Sequence, residues 1–217
     1  MTNNKLQHEF DTNHFRVAIF GSARIDPKYP QYQLIERLAK MIAKEGIDIV
    51  TGGGPGIMEA ANKGHQEGRG KNGDSHSVGL NILLTRETAA VNKHLDIKRE
   101  FHRFSERLDT FMALSNVVVV APGGIGTLLE FFYAWQLVQV KHICNTPIIL
   151  LGQMWAELIE WVEKWPLRTN FLDPEDINTL FLADTLEDAM KVINMAHDEF
   201  KKGGKDFCLN YKKYRIG

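Results

Sequence analysis

The stretch NVVVVAPGGIGTLLE, residues 116–130, determines the fold class. Four consecutive valines form an apolar run without alternation, which is typical of a strand buried on both faces of a parallel sheet. The run ends in a glycine-rich turn, and the residues after Thr127 are apolar nearly all round, which predicts a buried helix. A strand, a glycine turn and a helix in this order form the repeating unit of an α/β sheet.

The same alternation of strand and helix extends along the chain from residue 16 to about residue 200. The pattern predicts strands at 16–20, 47–50, 77–84, 116–121, 147–152 and 180–182. It predicts helices at 30–45, from the glycine run at 52–56 to Gly64, and at 98–115, 127–140, 153–164 and 185–200. Residues 85–97 are predicted to be an irregular connection. We therefore expect one open, mostly parallel α/β sheet with helices on both faces, formed by residues 15–200 between an N-terminal extension (1–14) and a basic C-terminal tail (201–217).

Composition and charge argue against several classes of partner. The 217 residues include 26 Lys plus Arg against 27 Asp plus Glu, so no broad basic field predicts nucleic acid as a partner. The basic tail is interpreted as a solvated end. No apolar window predicts a signal peptide or a membrane span. The two cysteines are too few for a disulfide framework, which indicates a reducing compartment, so we expect a cytoplasmic protein.

Glycine-rich turns follow three of the predicted strands. Because the carboxyl ends of parallel strands meet at one edge of a sheet, these turns are expected to converge there. Backbone N–H groups in such turns can approach an anion closely at the positive end of the next helix, which predicts a phosphate site. The alternative is that the glycines only permit tight turns. The candidate phosphate-binding residues are Gly21, Ser22, Gly52, Gly53, Gly54, Gly56, Gly123, Gly124, Gly126 and Thr127.

The turns differ from the common cofactor-binding motifs. No GxGxxG follows the first strand, and no acidic residue stands about 20 residues later to hold a ribose, which disfavours NAD. Neither glycine run closes with GK[ST], which argues against a Walker P-loop. The eight histidines show no metal-ligand spacing with the cysteines. No cofactor and no metal are therefore expected.

Glu130 is the only charged residue from Gly123 to Val140. An ionisable group in the first turns of a buried helix should face a cleft or be paired, which makes Glu130 a candidate functional residue. The alternative is structural, because Thr127 as N-cap and Glu130 three residues later would form a capping box. Both interpretations are open at this point.

Arg107 is predicted to return to the sheet edge at which Glu130 lies. The helix rises about 12 Å between Arg107 and Ser115, and the following valine strand climbs roughly 17 Å in the opposite direction. Arg99 and Arg103 share the predicted helical face and are expected to pair with Glu100 and Glu106 in solvent. The same solvated role is the alternative for Arg107.

Two motifs together resemble a known family. GGGPGIMEAANKG (52–64) and PGGIGTLLE (122–130), with Arg107 shortly before the second motif, resemble the LOG family, which is also labelled lysine decarboxylase-like. The resemblance extends over roughly residues 15–198 and includes GLNI (79–82) and Gln139.

The resemblance implies a Rossmann-like phosphoribohydrolase that cleaves the N-glycosidic bond of a nucleoside 5′-monophosphate, giving free base and ribose 5-phosphate. It implies Arg107 and Glu130 as the catalytic pair and Gly123, Gly124, Gly126 and Thr127 as the phosphate turn. It also implies a homodimer or a larger homo-oligomer. The lysine decarboxylase label implies pyridoxal phosphate, but no motif for that cofactor is visible. Cytokinin-type nucleotides and plain purine or pyrimidine monophosphates are all open as substrates.

The sequence departs from many relatives at two positions beside the motif residues. Leu108 stands where relatives carry a lysine, and Leu129 where they carry an acidic residue. These departures favour a more apolar pocket rim, and they keep open a nucleotide-binding or carrier protein without turnover. Partner or nucleic-acid binding through the basic tail, residues 201–217, is a third hypothesis.

Overall fold

A computed structural model describes residues 14–71, 73–83 and 92–203. Seven parallel strands form one sheet in the order β4-β3-β2-β1-β5-β6-β7. The strands are β1 (Arg16–Phe20), β2 (Asp48–Thr51), β3 (Ser77–Ile82), β4 (Ile97–Phe101), β5 (Val117–Val120), β6 (Ile148–Leu151) and β7 (Leu180–Ala183). The predicted α/β class is confirmed.

Seven α-helices connect the described strands. They are α1 (Pro30–Lys44), α2 (Ile57–Arg69), α3 (Phe104–Leu114), α4 (Ile125–Gln139), α5 (Met154–Val162), α6 (Pro174–Ile177) and α7 (Leu186–Gly203), and a π-helical turn (Glu163–Leu167) extends α5. None of these helices is long and apolar enough to cross a membrane.

The valine strand β5 lies between β1 and β6 and is buried on both faces, as its sequence predicts. Val117 and Val119 pack in a core with residues of α1, α2 and α7, whereas Val118 and Val120 pack in a second core with residues of α3, α4 and α5. The sheet is therefore covered on both sides, which explains why its central strands show no polar alternation.

The predicted helix at 98–115 is wrong in its first part. Residues 97–101 form β4 at the sheet edge, paired in register with β3 from Val78 opposite Ile97 to Ile82 opposite Phe101. Three consecutive charged residues, which also fit an exposed helical face, here lie on an exposed edge strand, where charges discourage pairing with other chains. Arg99 and Arg107 consequently do not share a helical face, and Phe104 is exposed instead of buried.

The predicted helix end at Gly64 is also wrong, because α2 continues to Arg69. Gly64 lies where α2 crosses α1, and a Cβ atom added there would stand 2.0 Å from the carbonyl oxygen of Glu36. Gly68 is equally close to α1, with Lys40 O at 2.3 Å. The glycines therefore permit close packing of two helices and do not terminate one.

Replacement of Gly64 by alanine is expected to destabilise the protein by about 1–3 kcal/mol or more, because the backbone of α1 must move to accommodate the methyl group. Urea unfolding would measure the change. Gly126→Ala is the matched control, since an added Cβ there meets nothing within 4 Å and alanine favours a helix. Equal stability of the two variants would contradict the proposed role of Gly64.

Cys144 takes part in a disulfide. Most of the predicted basic tail lies outside the described residues. The disulfide weakens the argument from cysteine count for a reducing compartment.

Candidate active site

The sheet reverses its order of chain connection at β1. From β1 the chain proceeds to β2, β3 and β4 on one side, and β5, β6 and β7 follow on the other. In open parallel sheets ligands bind outside the carboxyl ends of the strands at such a switch point. The turns that leave β1 and β5 at this point are Gly21-Ser22 and residues 122–127.

The three predicted glycine turns meet at this edge. The backbone N–H of Ser22 donates to Pro122 O at 3.1 Å, and the N–H of Ile57 donates to Ser22 O at 2.9 Å. Gly56 adopts a left-handed φ of +70°, and an added Cβ would stand 2.4 Å from the Ser22 carbonyl oxygen. Glycine is therefore required at position 56 both for its conformation and for its closeness to the first turn.

The backbone of the turn after β5 is accessible to a ligand. Helix α4 begins at Ile125 with Gly124 as N-cap, and no side chain of the described residues caps it. Gly124 and Gly126 are exposed, and a Cβ added to either meets nothing within 4 Å. An uncapped helix N-terminus with accessible glycines has the geometry and the partial positive charge that bind anions.

The capping-box alternative for Thr127 and Glu130 is not realised. Because Gly124 is the N-cap, Thr127 lies inside the first turn and is buried against Gly123. Glu130 is one turn farther along α4 and faces Arg107. The carboxylate of Glu130 is therefore not engaged in capping its own helix.

The turn at residues 52–56 is held by a buried polar network. The hydroxyl of Thr51 donates to Asn62 Oδ1 at 2.8 Å and accepts the N–H of Gly53 at 3.0 Å. Asn92 Nδ2 donates to Asn62 Oδ1 and to Gly54 O, each at 3.0 Å. The N–H of Gly53 and the carbonyl oxygen of Gly54 are thus hydrogen-bonded within the protein, so the conformation of this turn beside the site is held in place.

Sequence reasoning missed this network. Thr51, Asn62 and Asn92 lie in different elements and share no motif spacing. Asn62 is part of the quoted stretch GGGPGIMEAANKG. Its place on the helix that follows the turn was the one signal in the sequence that could have predicted a contact with that turn.

Arg107 and Glu130 form a buried ion pair at this edge. Arg107 Nη2 lies 3.0 Å from Glu130 Oε1, with the side chains 9% and 12% exposed. Arg107 Nε donates to Leu80 O at 2.7 Å, and its guanidinium carbon lies 5.1 Å from the centre of the Phe111 ring. A Cβ added to Gly52 would stand 2.6 Å from Arg107 Nη2. Four elements therefore hold the guanidinium in one position.

The surroundings of Glu130 act on its pKa in opposite directions. Burial raises the pKa of the Glu130 carboxyl above its ordinary value, and the charge and hydrogen bond of Arg107 partly counteract this rise. A carboxyl with a raised pKa exchanges its proton closer to neutral pH than an exposed glutamate does. Such a group can act as a general acid or base.

Arg99 and Arg103 do not lie on one helical face with Arg107. Arg103 is the N-cap residue of α3 and lies 3.5 Å from Glu106 in an exposed pair, as expected. Arg99 lies on β4, with its guanidinium carbon 4.9 Å from the Phe101 ring centre. Leu108 is buried in the core, whereas Leu129 is 47% exposed on α4. Of the two departures from the motif, only Leu129 is exposed.

A sequence profile for the family described as "Possible lysine decarboxylase" matches residues 58–193. The chain belongs to this family. The matched region contains Arg107, the PGGIGT turn and Glu130, and the assignment to the LOG and lysine decarboxylase-like family from the two motifs is confirmed.

Curated relatives of this family member are distant. A pyrimidine/purine nucleotide 5′-monophosphate nucleosidase of Escherichia coli strain K12 is 28% identical over 124 residues, which are 54% of this chain and 26% of the relative. The chain thus spans about a quarter of that nucleosidase. An uncharacterized protein of Archaeoglobus fulgidus is 23% identical over 137 residues, 63% of this chain and 84% of that protein.

Solved structures share the fold. A structural-genomics target, TM1055, has a TM-score of 0.63 and 24% identity, covering 83% of this chain and 98% of its own. The molybdenum cofactor carrier protein of Chlamydomonas reinhardtii has a TM-score of 0.61 and 21% identity, covering 85% of this chain and 99% of its own. At these identities the likeness establishes the Rossmann-like fold and nothing about activity.

Proposed function

We propose that this LOG-family member is a nucleoside 5′-monophosphate phosphoribohydrolase, which releases a free base and ribose 5-phosphate. The observation that carries the proposal is the buried Arg107–Glu130 pair beside an open helix N-terminus at the switch point of the sheet. The distant likeness to a nucleotide 5′-monophosphate nucleosidase supports the same reaction class.

The phosphate of the substrate is assigned to the turn after β5. Gly123, Gly124, Gly126 and Thr127 surround the uncapped N-terminus of α4, where backbone N–H groups and the helix dipole favour a dianion. Gly21 and Ser22 adjoin this turn through the hydrogen bond from Ser22 to Pro122. The turn with Gly52, Gly53, Gly54 and Gly56 forms the neighbouring wall, so the nucleotide would lie between the two motifs.

Glu130 is the group proposed to act at the reacting carbon. Cleavage of an N-glycoside develops oxocarbenium character, and a carboxylate can stabilise that positive charge or activate the attacking water. Binding of the 5′-phosphate at the start of α4 would hold the ribose near this carboxylate, so binding energy remote from the bond contributes to catalysis. Arg107 would keep Glu130 ionised and in position.

Incubation with AMP, GMP, CMP, UMP and an N6-substituted AMP, followed by chromatography of the free base, tests the proposal. We expect release of base from at least one monophosphate and none from the corresponding nucleosides, because the nucleosides lack the anion that the α4 turn binds. Absence of release from every nucleotide, together with measurable nucleotide binding, would overturn the enzymatic proposal.

The alternative is a nucleotide-binding or carrier protein without turnover. Fold neighbours include a molybdenum cofactor carrier protein, and the same glycine turns bind a phosphate whether or not cleavage follows. This alternative would explain the departure at the exposed Leu129, the residue before Glu130, by a relaxed catalytic constraint.

A homodimer or larger homo-oligomer is also proposed. Helix α4 and its C-cap residue Val140 expose apolar side chains on one face, with Ile125 85%, Leu129 47%, Phe132 41% and Val140 58% exposed. Apolar side chains gathered on one exposed helix face are typical of an interaction site. Because the stripe begins at the PGGIGT turn, a second copy that covered it would stand at the mouth of the proposed nucleotide site.

Phe132→Glu is expected to weaken self-association by about tenfold or more, because a charge in an apolar interface costs at least about 1.4 kcal/mol. Light scattering over a concentration series would measure the change. Phe171→Glu is the matched control, since Phe171 is 83% exposed and lies outside α4, in the loop before α6. A monomeric wild-type protein, or an equal effect of both variants, would contradict the proposal.

A further inference from the structure

Three potential metal ligands meet at the edge of the sheet opposite the candidate active site. His14 precedes β1, Asp48 begins β2, and His76 precedes β3. The strands are adjacent and in register, with Arg16 opposite Asp48 and Ile49 opposite Ser77, so their starting residues are brought side by side. The expectation of no metal site rested on spacing along the sequence, which does not reveal this cluster.

The ligand atoms are close enough for one ion. His14 Nδ1 lies 3.2 Å from Asp48 Oδ2 and His76 Nδ1 lies 3.9 Å from Asp48 Oδ1. One nitrogen from each histidine and one carboxylate oxygen all lie within 4.8 Å of one another. Tetrahedral zinc with ligands at about 2.0–2.1 Å requires ligand atoms about 3.3 Å apart. Rotation of the two imidazoles would have to bring the ligand atoms from within 4.8 Å of one another to this spacing.

The carboxylate is anchored and the imidazoles are accessible. Asp48 is 2% exposed, and its Oδ1 accepts the backbone N–H of His76 at 2.8 Å. The side chains of His14 and His76 are 36% and 45% exposed, so they can rotate and solvent can supply the remaining ligands. A rigid carboxylate flanked by two adjustable imidazoles can adapt to an incoming ion.

Arg16 determines which ions fit. Its Nε lies 3.4 Å from Asp48 Oδ2, so a fixed positive charge already offsets much of the carboxylate. Magnesium and calcium depend on negatively charged oxygen ligands and are disfavoured here. Zinc, nickel and cobalt bind neutral imidazole well and are compatible with a site of two histidines and one carboxylate.

We propose that His14, Asp48 and His76 form a binding site for a divalent transition metal, which ties together the starts of β1, β2 and β3. The site lies at the amino edge of the sheet, whereas Arg107 and Glu130 lie at the carboxyl edge, so it is independent of the proposed nucleotide chemistry.

Calorimetric titration of the tag-free, metal-stripped full chain with ZnCl₂ tests the site, with MgCl₂ as the comparison ion. We expect one tight equivalent of zinc, weakened at least tenfold in His14→Gln and in His76→Gln but unchanged in His142→Gln, whose exposed histidine lies outside the cluster. A hundredfold excess of zinc over its Kd should raise Tm by about 5 °C or more. Magnesium should do neither.

Zinc affinity that is the same in the wild type and both cluster variants would overturn the proposal, as would the absence of binding to the wild type. Titration of the wild type with Co²⁺ provides a second test, which does not depend on the folding of any substituted protein. One equivalent should produce visible d–d absorption that is more intense than that of free Co²⁺, and zinc should remove this increase. A spectrum identical to that of free Co²⁺ would show that the three residues form only an ion-paired cluster.

Discussion

Replacing Glu130 by glutamine is expected to lower kcat for base release by about 10²–10⁴, the range that a positioned acid or base contributes. Nucleotide binding should change little, because the phosphate is assigned to the turn at Gly123–Thr127, one helical turn away. Glutamine keeps an oxygen that can accept the hydrogen bond from Arg107, so the buried guanidinium retains a partner. Single-turnover base release and equilibrium binding of the same nucleotide would separate the two effects.

Glu106→Gln is the matched control for this substitution. Glu106 also lies next to the site on α3, but its side chain is 56% exposed and pairs with Arg103 in solvent. The control should retain full activity. A Glu130→Gln variant with wild-type kcat would rule out the proposed role of the carboxylate, and a large loss of binding would indicate that Glu130 serves the ligand and not the reaction.

The sequence was sufficient to predict the central sheet and the edge at which the glycine turns meet. Four valines buried on both faces could only occupy the middle of a parallel sheet, and glycines after three strands had to meet at one edge. The position of Arg107 near the carboxyl edge of the sheet could be calculated from the rise per residue of a helix and of a strand, because backbone geometry sets both values. The structure brings its guanidinium to Glu130.

The errors arose where a residue type serves two structural purposes. A run of charges such as Lys98-Arg99-Glu100 fits an exposed helix or an exposed edge strand, and only pairing with β3 distinguishes them. Gly64 fits a helix end or a close helix crossing, and only the position of α1 distinguishes those. Thr127 was a plausible N-cap, but glycine at position 124 begins the helix earlier. In the first two cases tertiary contacts outweigh local preference.

The His14, Asp48 and His76 cluster could not be found along the chain for a related reason. Its members belong to three different strands and meet only through strand register. Motif searches detect ligands that share one turn or one helix. Ligands gathered at a sheet edge become visible only after the strand order is known.

Of the single substitutions considered for this protein, replacement of Arg107 is expected to lower the free energy of unfolding the most. Arg107→Met leaves the Glu130 carboxylate buried without its cation, and breaking a buried ion pair costs about 3–5 kcal/mol. Burial raises the pKa of Glu130 and Arg107 lowers it, so in the variant the pKa rises further. Base release should fall as well, because the carboxylate would lose both its orientation and its charge.

The sign of the pH dependence follows from this rise. A carboxyl whose folded pKa lies above its unfolded value of about 4.3 destabilises the fold at pH values above the folded pKa. The penalty disappears as pH falls below the unfolded value, where the group is protonated in both states. The stability deficit of Arg107→Met should therefore be larger at about pH 8 than at about pH 5.

Urea unfolding of wild type, Arg107→Met and the double variant Arg107→Met/Glu130→Leu at both pH values tests this account. The double variant should recover most of the lost stability and lose its pH dependence, because an apolar pair of similar volume replaces the stranded charge. Arg103→Met is the matched control, since that arginine is 73% exposed and its loss should cost little. A deficit that is independent of pH and persists in the double variant would mean that Arg107 stabilises the fold through its contacts with Leu80 and Phe111, and that its charge matters little to Glu130.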